Sequence, residues 1–138
     1  MVAVTDNASG SRRIILNQTY ALNGTSRALD TQTTQMRLAV ALTPEPSRVM
    51  HIGAGSGITP AAALDAPLTE LIAAEIVPEV AELARRHFRE WNAPLLTDPR
   101  ARLIVGDGRR LLAADPQKFD LINVDLLHPA LESAGGLF

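Results

Sequence analysis

The chain has 138 residues, 46% of them hydrophobic and 20% charged, with a formal net charge of -2 and a pI of about 5.9. That balance fits one globular domain and gives no electrostatic pull toward nucleic acid or an anionic membrane. The absence of cysteine excludes disulfides and thiolate metal sites, and His51, His87 and His128 lack zinc-type spacing, so no metal is expected.

Residues 1–11 are small and polar and read as a loose tail. Ile14-Ile15-Leu16, Asn17-Gln18 and the stretch 19–22 read as two short strands around a tight turn, followed by a second turn signal at Asn23-Gly24. Apolar residues from Met36 to Leu42 predict a helix over 30–42, capped near Asp30 or Thr31 and ended by Pro44 and Pro46. Residues 12–43 thus form a hairpin-and-helix unit ahead of a larger unit, 44–138.

From Ser47 onward, strands alternate with helices. Val49-Met50-His51-Ile52 is a short strand running into Gly53-Ala54-Gly55-Ser56-Gly57, and a short helix follows over 59–64. Leu71-Ile72-Ala73-Ala74 is a buried strand ending at Glu75. Pro78 opens a helix whose apolar face carries Val80, Leu83, Ala84, His87, Phe88 and Trp91, with Trp91 expected to pack on the sheet. A third strand over 102–105 runs into Gly106-Asp107-Gly108, a short helix covers 109–114, and a fourth strand over 119–124 ends at Asp125. Repeated strand–helix–strand units predict an α/β fold with a Rossmann-like parallel sheet. Ligands of such sheets bind at the carboxyl ends of the strands, where Gly53 to Gly57, Glu75, Asp107 and Asp125 fall.

The G-x-G-x-G loop lets the backbone turn tightly and approach a ligand closely, although a plain strand-to-helix turn would use the same residues. Ile58 replaces the third glycine of a dinucleotide fingerprint. Ala54 and Ile58 exclude a nucleophile elbow around Ser56, and no Gly-Lys-Ser/Thr exists for a P-loop. Ser56 is therefore read as lining a ligand or capping the next helix. Glu75 lies roughly 20 residues beyond the loop, where a carboxylate accepts hydrogen bonds from ribose hydroxyls. The alternative, a solvated carboxylate, sits poorly beside Ala73-Ala74 and Ile76. Asp107 is read as a partner for an adenine amino group or as a turn-forming Asp. Together these residues describe an adenosine pocket without a phosphate grip.

In order and spacing, the glycine loop, Glu75-Ile76-Val77-Pro78-Glu79-Val80, Asn92, Asp98-Pro99-Arg100, Gly106-Asp107-Gly108-Arg109, Phe119-Asp120, Val124-Asp125 and Gly135-Gly136-Leu137-Phe138 resemble the spermidine synthases. The resemblance runs over about residues 44–138 and includes relatives fused to transporter segments. It implies a fold of the S-adenosylmethionine (SAM)-methyltransferase type and aminopropyl transfer from decarboxylated SAM to an amine in polyamine biosynthesis. It implies a nucleoside held by Gly53, Gly55, Ser56, Gly57, Glu75, Ile76, Asp107 and Gly108, and a catalytic carboxylate at Asp125. An ammonium nucleophile must lose a proton before it attacks the carbon beside the sulfonium, which is work for such a carboxylate.

The chain departs from this family at the amine side. Ser56 stands where the family has Asp, and Asp125-Leu126-Leu127-His128-Pro129 places His128 where it has a second acid. Thr33-Thr34 replaces a Tyr-His pair, and Ala21 falls at a hairpin glutamine. By resemblance the family continues past Phe138, so the sheet reads as truncated after its fourth strand. Its exposed edge marks a fragment or a homo-oligomer that covers it. Three readings follow: an aminopropyltransferase, a methyltransferase using SAM itself, and a degenerate binding module. The expected partners are a nucleoside and an amine, not nucleic acid or a membrane, and the expected location is the cytoplasm.

Overall fold

The structure, a computed structural model, describes residues 1–17, 20–22, 24–25 and 27–125. His128, the sequence features between 126 and 138, and any covering of the sheet edge by them lie outside the described residues.

The described residues form two sheets. Strands β1 (Val2–Asp6), β2 (Arg12–Leu16) and β3 (Tyr20–Leu22) form an antiparallel sheet in that order. The expected loose tail is thus corrected: Val2 to Asp6 pairs residue for residue with Leu16 to Arg12. Its alternation is what folds it. Val2 and Val4 turn to the same side as Ile14, Leu16 and Leu22, and all pack against Val80 and Phe88. Arg12 pins the turn end of the β1–β2 pair through Asp6, at 2.8 Å, and donates to the His87 carbonyl at 3.0 Å.

Helix α1 (Arg27–Leu42) begins three residues before the predicted start. The physical reason is tertiary: the Gln32 amide donates to the carbonyls of Gly24 and Ala28, each at 3.0 Å, and ties the first turn to the segment before it. Gly24 is required there, because a Cβ would lie 1.7 Å from the Arg12 carbonyl oxygen.

The second sheet contains β4 (Arg48–Ile52), β5 (Glu70–Glu75), β6 (Ala101–Val105) and β7 (Leu121–Val124), all parallel, in the order β6-β5-β4-β7. Val49, Leu71 and Ala73 face Met36 and Val40 of α1, while Met50, Ile52 and Ala74 face Leu111, Leu112 and Phe119. Coverage on both sides explains why β4 and β5 read as unbroken apolar runs. The chain steps outward from β4 to β6 and then returns to the other side of β4, so the topology reverses between β4 and β7. Connections are α2 (Ile58–Ala61) with a 3₁₀ turn over Ala62–Asp65, α3 (Pro78–His87), α4 (Arg89–Thr97) and α5 (Gly108–Ala114).

The opposite, amino edge of this sheet is held by charge. Arg48 pairs with Glu70 and Asp115 and lies 4.4 Å from the centre of the Phe119 ring, and Arg102 pairs with Glu70. The Asp120 carboxylate accepts the backbone N–H groups of Ser47 and Arg48.

The single long helix expected from Pro78 to Trp91 is broken at Phe88, whose φ of -119° and ψ of 13° leave the helical region. Nothing in the local sequence breaks it. Phe88 turns its fully buried ring between Ile14, Ile58 and Val80, and burial of an aromatic outweighs the interruption of the helical hydrogen bonds. Trp91 consequently packs near Phe88 under the hairpin, at a ring separation of 6.2 Å, instead of on the parallel sheet. His87, expected at the boundary, is exposed. Phe88→Ala is expected to destabilise the protein by about 3–5 kcal/mol and to release the hairpin first. Urea unfolding, with hydrogen exchange of the β1 and β2 amides, measures both effects.

Candidate functional site

Four strands that run parallel and in register must end at one edge. Ile52 lies opposite Ala74 and Val124, and Glu75 lies opposite Val105. The segments after β4, β5, β6 and β7 are therefore neighbours, which brings together Gly53 to Gly57, Glu75, Gly106 to Gly108 and Asp125. The topological reversal lies at this same edge.

The glycine loop leaves the sheet with positive φ at Gly53, Gly55 and Gly57. At Gly57 the requirement is also steric. A Cβ would lie 3.0 Å from Asn92 Nδ2 and 3.1 Å from a Leu95 methyl, with φ at 81°. At Gly55 a Cβ would make only an ordinary contact, 3.9 Å to a Leu22 methyl, so the constraint there is the φ of 54°.

Backbone carbonyls take the Gly53, Ala54 and Gly57 N–H groups, and side chains serve other polar groups of the loop. Glu75, only 7% exposed, accepts the Gly55 N–H at 2.9 Å through Oε2 and the Val77 N–H at 3.0 Å through Oε1. Each carboxylate oxygen has a second lone pair, so the group remains able to accept from a ligand. The Asn92 amide donates to the Ser56 carbonyl at 2.7 Å and to the Ala84 carbonyl at 3.0 Å. Asn92 thus secures the loop and the carbonyl at the break between α3 and α4 with one group.

Ser56 is 3% exposed, and its hydroxyl is 3.5 Å from Gln32 Oε1. It does not cap α2. The cap residue is Gly57, and no side chain closes that helix end. The hydroxyl instead faces α1, where the buried Gln32 is also anchored.

Asp107 caps α5 by accepting the Arg109 N–H at 2.9 Å, and the Arg109 guanidinium reaches its other oxygen at 3.2 Å. These bonds hold the Asp107 carboxyl below the usual range. Arg109 is solvent-facing, as its place at a helix start predicts, and it is also the counter-ion of Asp107. Gly108 has to be glycine because a Cβ there would lie 2.6 Å from an Ile52 methyl on β4. Ile76 is 60% exposed and Val105 43% exposed, so two apolar side chains stand uncovered beside Glu75 and the Gly106 turn.

Asp125 follows β7, with its N–H bonded to the Ile52 carbonyl at 2.9 Å. Desolvation pushes its carboxyl above the usual range, against a hydrogen bond from the Thr59 hydroxyl that lowers it. A carboxylate with a raised pKa is a stronger proton acceptor than a solvated one. Thr59, which had no sequence signal, is buried on α2 beneath it. Thr33 bonds back to the Leu29 carbonyl at 2.8 Å, Thr34 is exposed, and Ala21 is exposed on the hairpin.

His51, expected as a packed or hydrogen-bonded core histidine, is fully buried. Nε2 lies 3.1 Å from the Gly53 carbonyl and Nδ1 lies 2.9 Å from the Asn123 amide. Burial lowers its pKa from 6.5 to about 4. Asn123 had no sequence signal, because nothing local marks a partner on a strand 72 residues away. Among the described residues, no three His, Asp or Glu side chains are grouped to hold a metal, and no helix is long and apolar enough to cross a membrane.

The His51 shift makes stability depend on pH. Between about 4 and 6.5 the unfolded chain binds the proton and the folded chain does not. This contribution is fully present above the unfolded value and is lost as pH falls through that window, by an amount on the order of 3 kcal/mol. Urea unfolding of the parent and of His51→Gln from pH 7.5 to 4 is expected to give curves that converge toward the acid end.

Comparison with known proteins bears on family and fold. Residues 31–138 match the spermine/spermidine synthase domain. Polyamine aminopropyltransferase 2 of Hyperthermus butylicus is 34% identical over 85 residues, which cover 61% of this chain and 28% of that protein. Polyamine aminopropyltransferase 2 of Pseudomonas aeruginosa is 33% identical over 84 residues, covering 60% and 24%. The chain thus spans about a quarter of the length of these curated relatives. A crystal structure of spermidine synthase in complex with the transition-state analogue AdoDATO superposes with a TM-score of 0.85 at 22% identity, covering 99% of this chain and 46% of that one. Spermidine synthase from Thermotoga maritima gives 0.81, also at 22% identity, covering 94% and 44%. At that identity the likeness concerns the fold, a parallel α/β sheet with an antiparallel hairpin unit before it. With more than half of its length matched to the domain, the chain belongs to the spermine/spermidine synthase family.

Proposed function

We propose that the carboxyl edge of the parallel sheet binds the adenosine part of a sulfonium donor, decarboxylated SAM, for aminopropyl transfer to an amine. The observation that carries this reading is Glu75. It is a buried carboxylate whose two oxygens are oriented by the Gly55 and Val77 N–H groups, and it keeps lone pairs for ribose hydroxyls. Ile76 and Val105 offer an apolar rest for the base, with Asp107 and Gly108 at its far edge. The glycine loop, bare of side chains at Gly53, Gly55 and Gly57 and with Ser56 turned toward Gln32, lets the donor approach closely.

In the transfer step, the amine nitrogen attacks the carbon beside the sulfonium. A carbon–nitrogen bond forms, the carbon–sulfur bond breaks with its electron pair going to sulfur, and methylthioadenosine leaves. Asp125, with its raised pKa, would take the proton released by the amine. The polyamine aminopropyltransferases among its relatives support this reaction.

Ser56 favours a second reading. Its hydroxyl is buried against Gln32, and it puts no carboxylate on the glycine loop. A donor that carries its own carboxylate, SAM, meets no repulsion from this position, and methyl transfer becomes the competing reaction.

Calorimetric titration with methylthioadenosine tests the shared nucleoside claim: saturable binding is expected, and no binding would overturn both readings. Glu75→Ala is expected to weaken that binding by about 1–3 kcal/mol, and an unchanged affinity would remove the ribose assignment. Asp125→Asn is expected to abolish transfer and leave nucleoside affinity nearly intact. Mass spectrometry of the product, with either donor and an amine, separates aminopropyl from methyl transfer.

A further inference from the structure

The nucleoside edge contains one buried titratable side chain that the transfer step does not use. His51 stands on β4 opposite Asn123 of β7, in register and with no exposed surface. Its two ring nitrogens contact different partners, the Gly53 carbonyl and the Asn123 amide, at 3.1 and 2.9 Å. A carbonyl oxygen only accepts, so Nε2 must carry the hydrogen. In the neutral ring Nδ1 is then an acceptor, and the Asn123 amide donates to it. The opposite tautomer would aim a lone pair at the Gly53 oxygen and leave that buried carbonyl unpaired.

Gly53 is where the chain leaves the sheet. Its φ is 91° and its N–H is bonded to the Ala74 carbonyl at 2.9 Å. The imidazole bond is a second tie on the same residue and sets the tilt of the peptide that leads to Ala54 and Gly55. Asn123, which orients the ring, is two positions before Asp125 on the strand that ends in it. One side chain therefore joins the start of the glycine loop to the strand that carries the carboxylate.

We propose that His51, oriented by Asn123, is a positioning residue that as its Nε2–H tautomer sets the Gly53 peptide and keeps the glycine loop in ligand-ready geometry beside β7. Its consequence for affinity rests on the nucleoside reading above, whereas the tautomer and the order of the loop do not. Burial, which holds the ring neutral at neutral pH, favours the same arrangement.

Three measurements decide it. Nitrogen-15 NMR of the unmodified chain at pH 7 is expected to show the His51 hydrogen on Nε2, and an Nδ1–H tautomer would overturn the proposal. Amide exchange is then compared in His51→Gln, whose amide can still donate to Gly53, and His51→Met, which fills the volume without a donor. In His51→Met the Gly55 and Gly57 amides are expected to exchange about tenfold faster relative to Met50 and Ile72, with His51→Gln near the parent. Equal acceleration of loop and strand, or none, would overturn it. Methylthioadenosine affinity is expected to fall about tenfold in His51→Met only. Binding that stays at the parent level in a folded His51→Met removes the ligand-positioning role. If the parent itself binds no nucleoside, the functional reading above fails, while tautomer and exchange still decide what His51 does to the loop. Should His51→Met not fold, the tautomer of the unmodified chain and the exchange of His51→Gln carry the decision.

Discussion

When the chain leaves β4 it leaves the hydrogen-bond ladder of the sheet, yet the next residues remain largely buried. Backbone groups in such a place must find partners, because an unpaired buried N–H or carbonyl costs about 1–3 kcal/mol. The Ala74 carbonyl accepts the Gly53 and Ala54 N–H groups, and side chains of β4, β5 and α4 serve others: His51 the Gly53 carbonyl, Glu75 the Gly55 N–H and Asn92 the Ser56 carbonyl. The loop's shape is thus imposed from outside it. The same atoms that satisfy the loop also orient the groups proposed to meet a ligand.

This constraint explains features that seem unrelated one at a time. Asn92 can reach Ser56 only because α3 stops at Phe88 and α4 starts in a new direction. That break in turn depends on the hairpin, whose apolar side supplies Ile14 and the pocket around the Phe88 ring. Gly57 is glycine because Asn92 and Leu95 press against it. The hairpin unit and the parallel sheet therefore share one core at the level of the glycine loop.

The carboxyl edge is chemically uneven. On the nucleoside side, Glu75 is buried and oriented, Asp107 is drawn below the usual carboxylate range by Arg109, and Ile76 and Val105 offer uncovered apolar surface. On the side where an amine would arrive, Ser56 is uncharged and turned toward Gln32, Thr33 is bonded to its own helix, and Ala21 is a methyl group. Among the described residues, Asp125 is the carboxylate left there, raised by desolvation. Under the proposed reading, such an edge holds a nucleoside with more partners than it offers a polycationic amine.

The strand-and-helix alternation, the glycine loop and the acidic residues at strand ends are local signals. Apolar runs of four or five residues, turn glycines and a proline at a helix start depend on neighbours in the chain, so they were legible from Ser47 to Asp125. The family was legible for the same reason, since its motifs are short and follow in order. Other features were decided by tertiary structure. Val2 to Asp6 carries only a short alternation, Val2 and Val4, which becomes a strand because Ile14 and Phe88 offer it a surface. Helical periodicity runs through Phe88, yet burial of that ring breaks the helix. Asn123 and Thr59 are unremarkable in sequence and acquire meaning only because parallel register brings them to His51 and Asp125. Local order came from the chain's own neighbours, whereas the partners of buried polar groups depend on contacts between residues far apart in sequence.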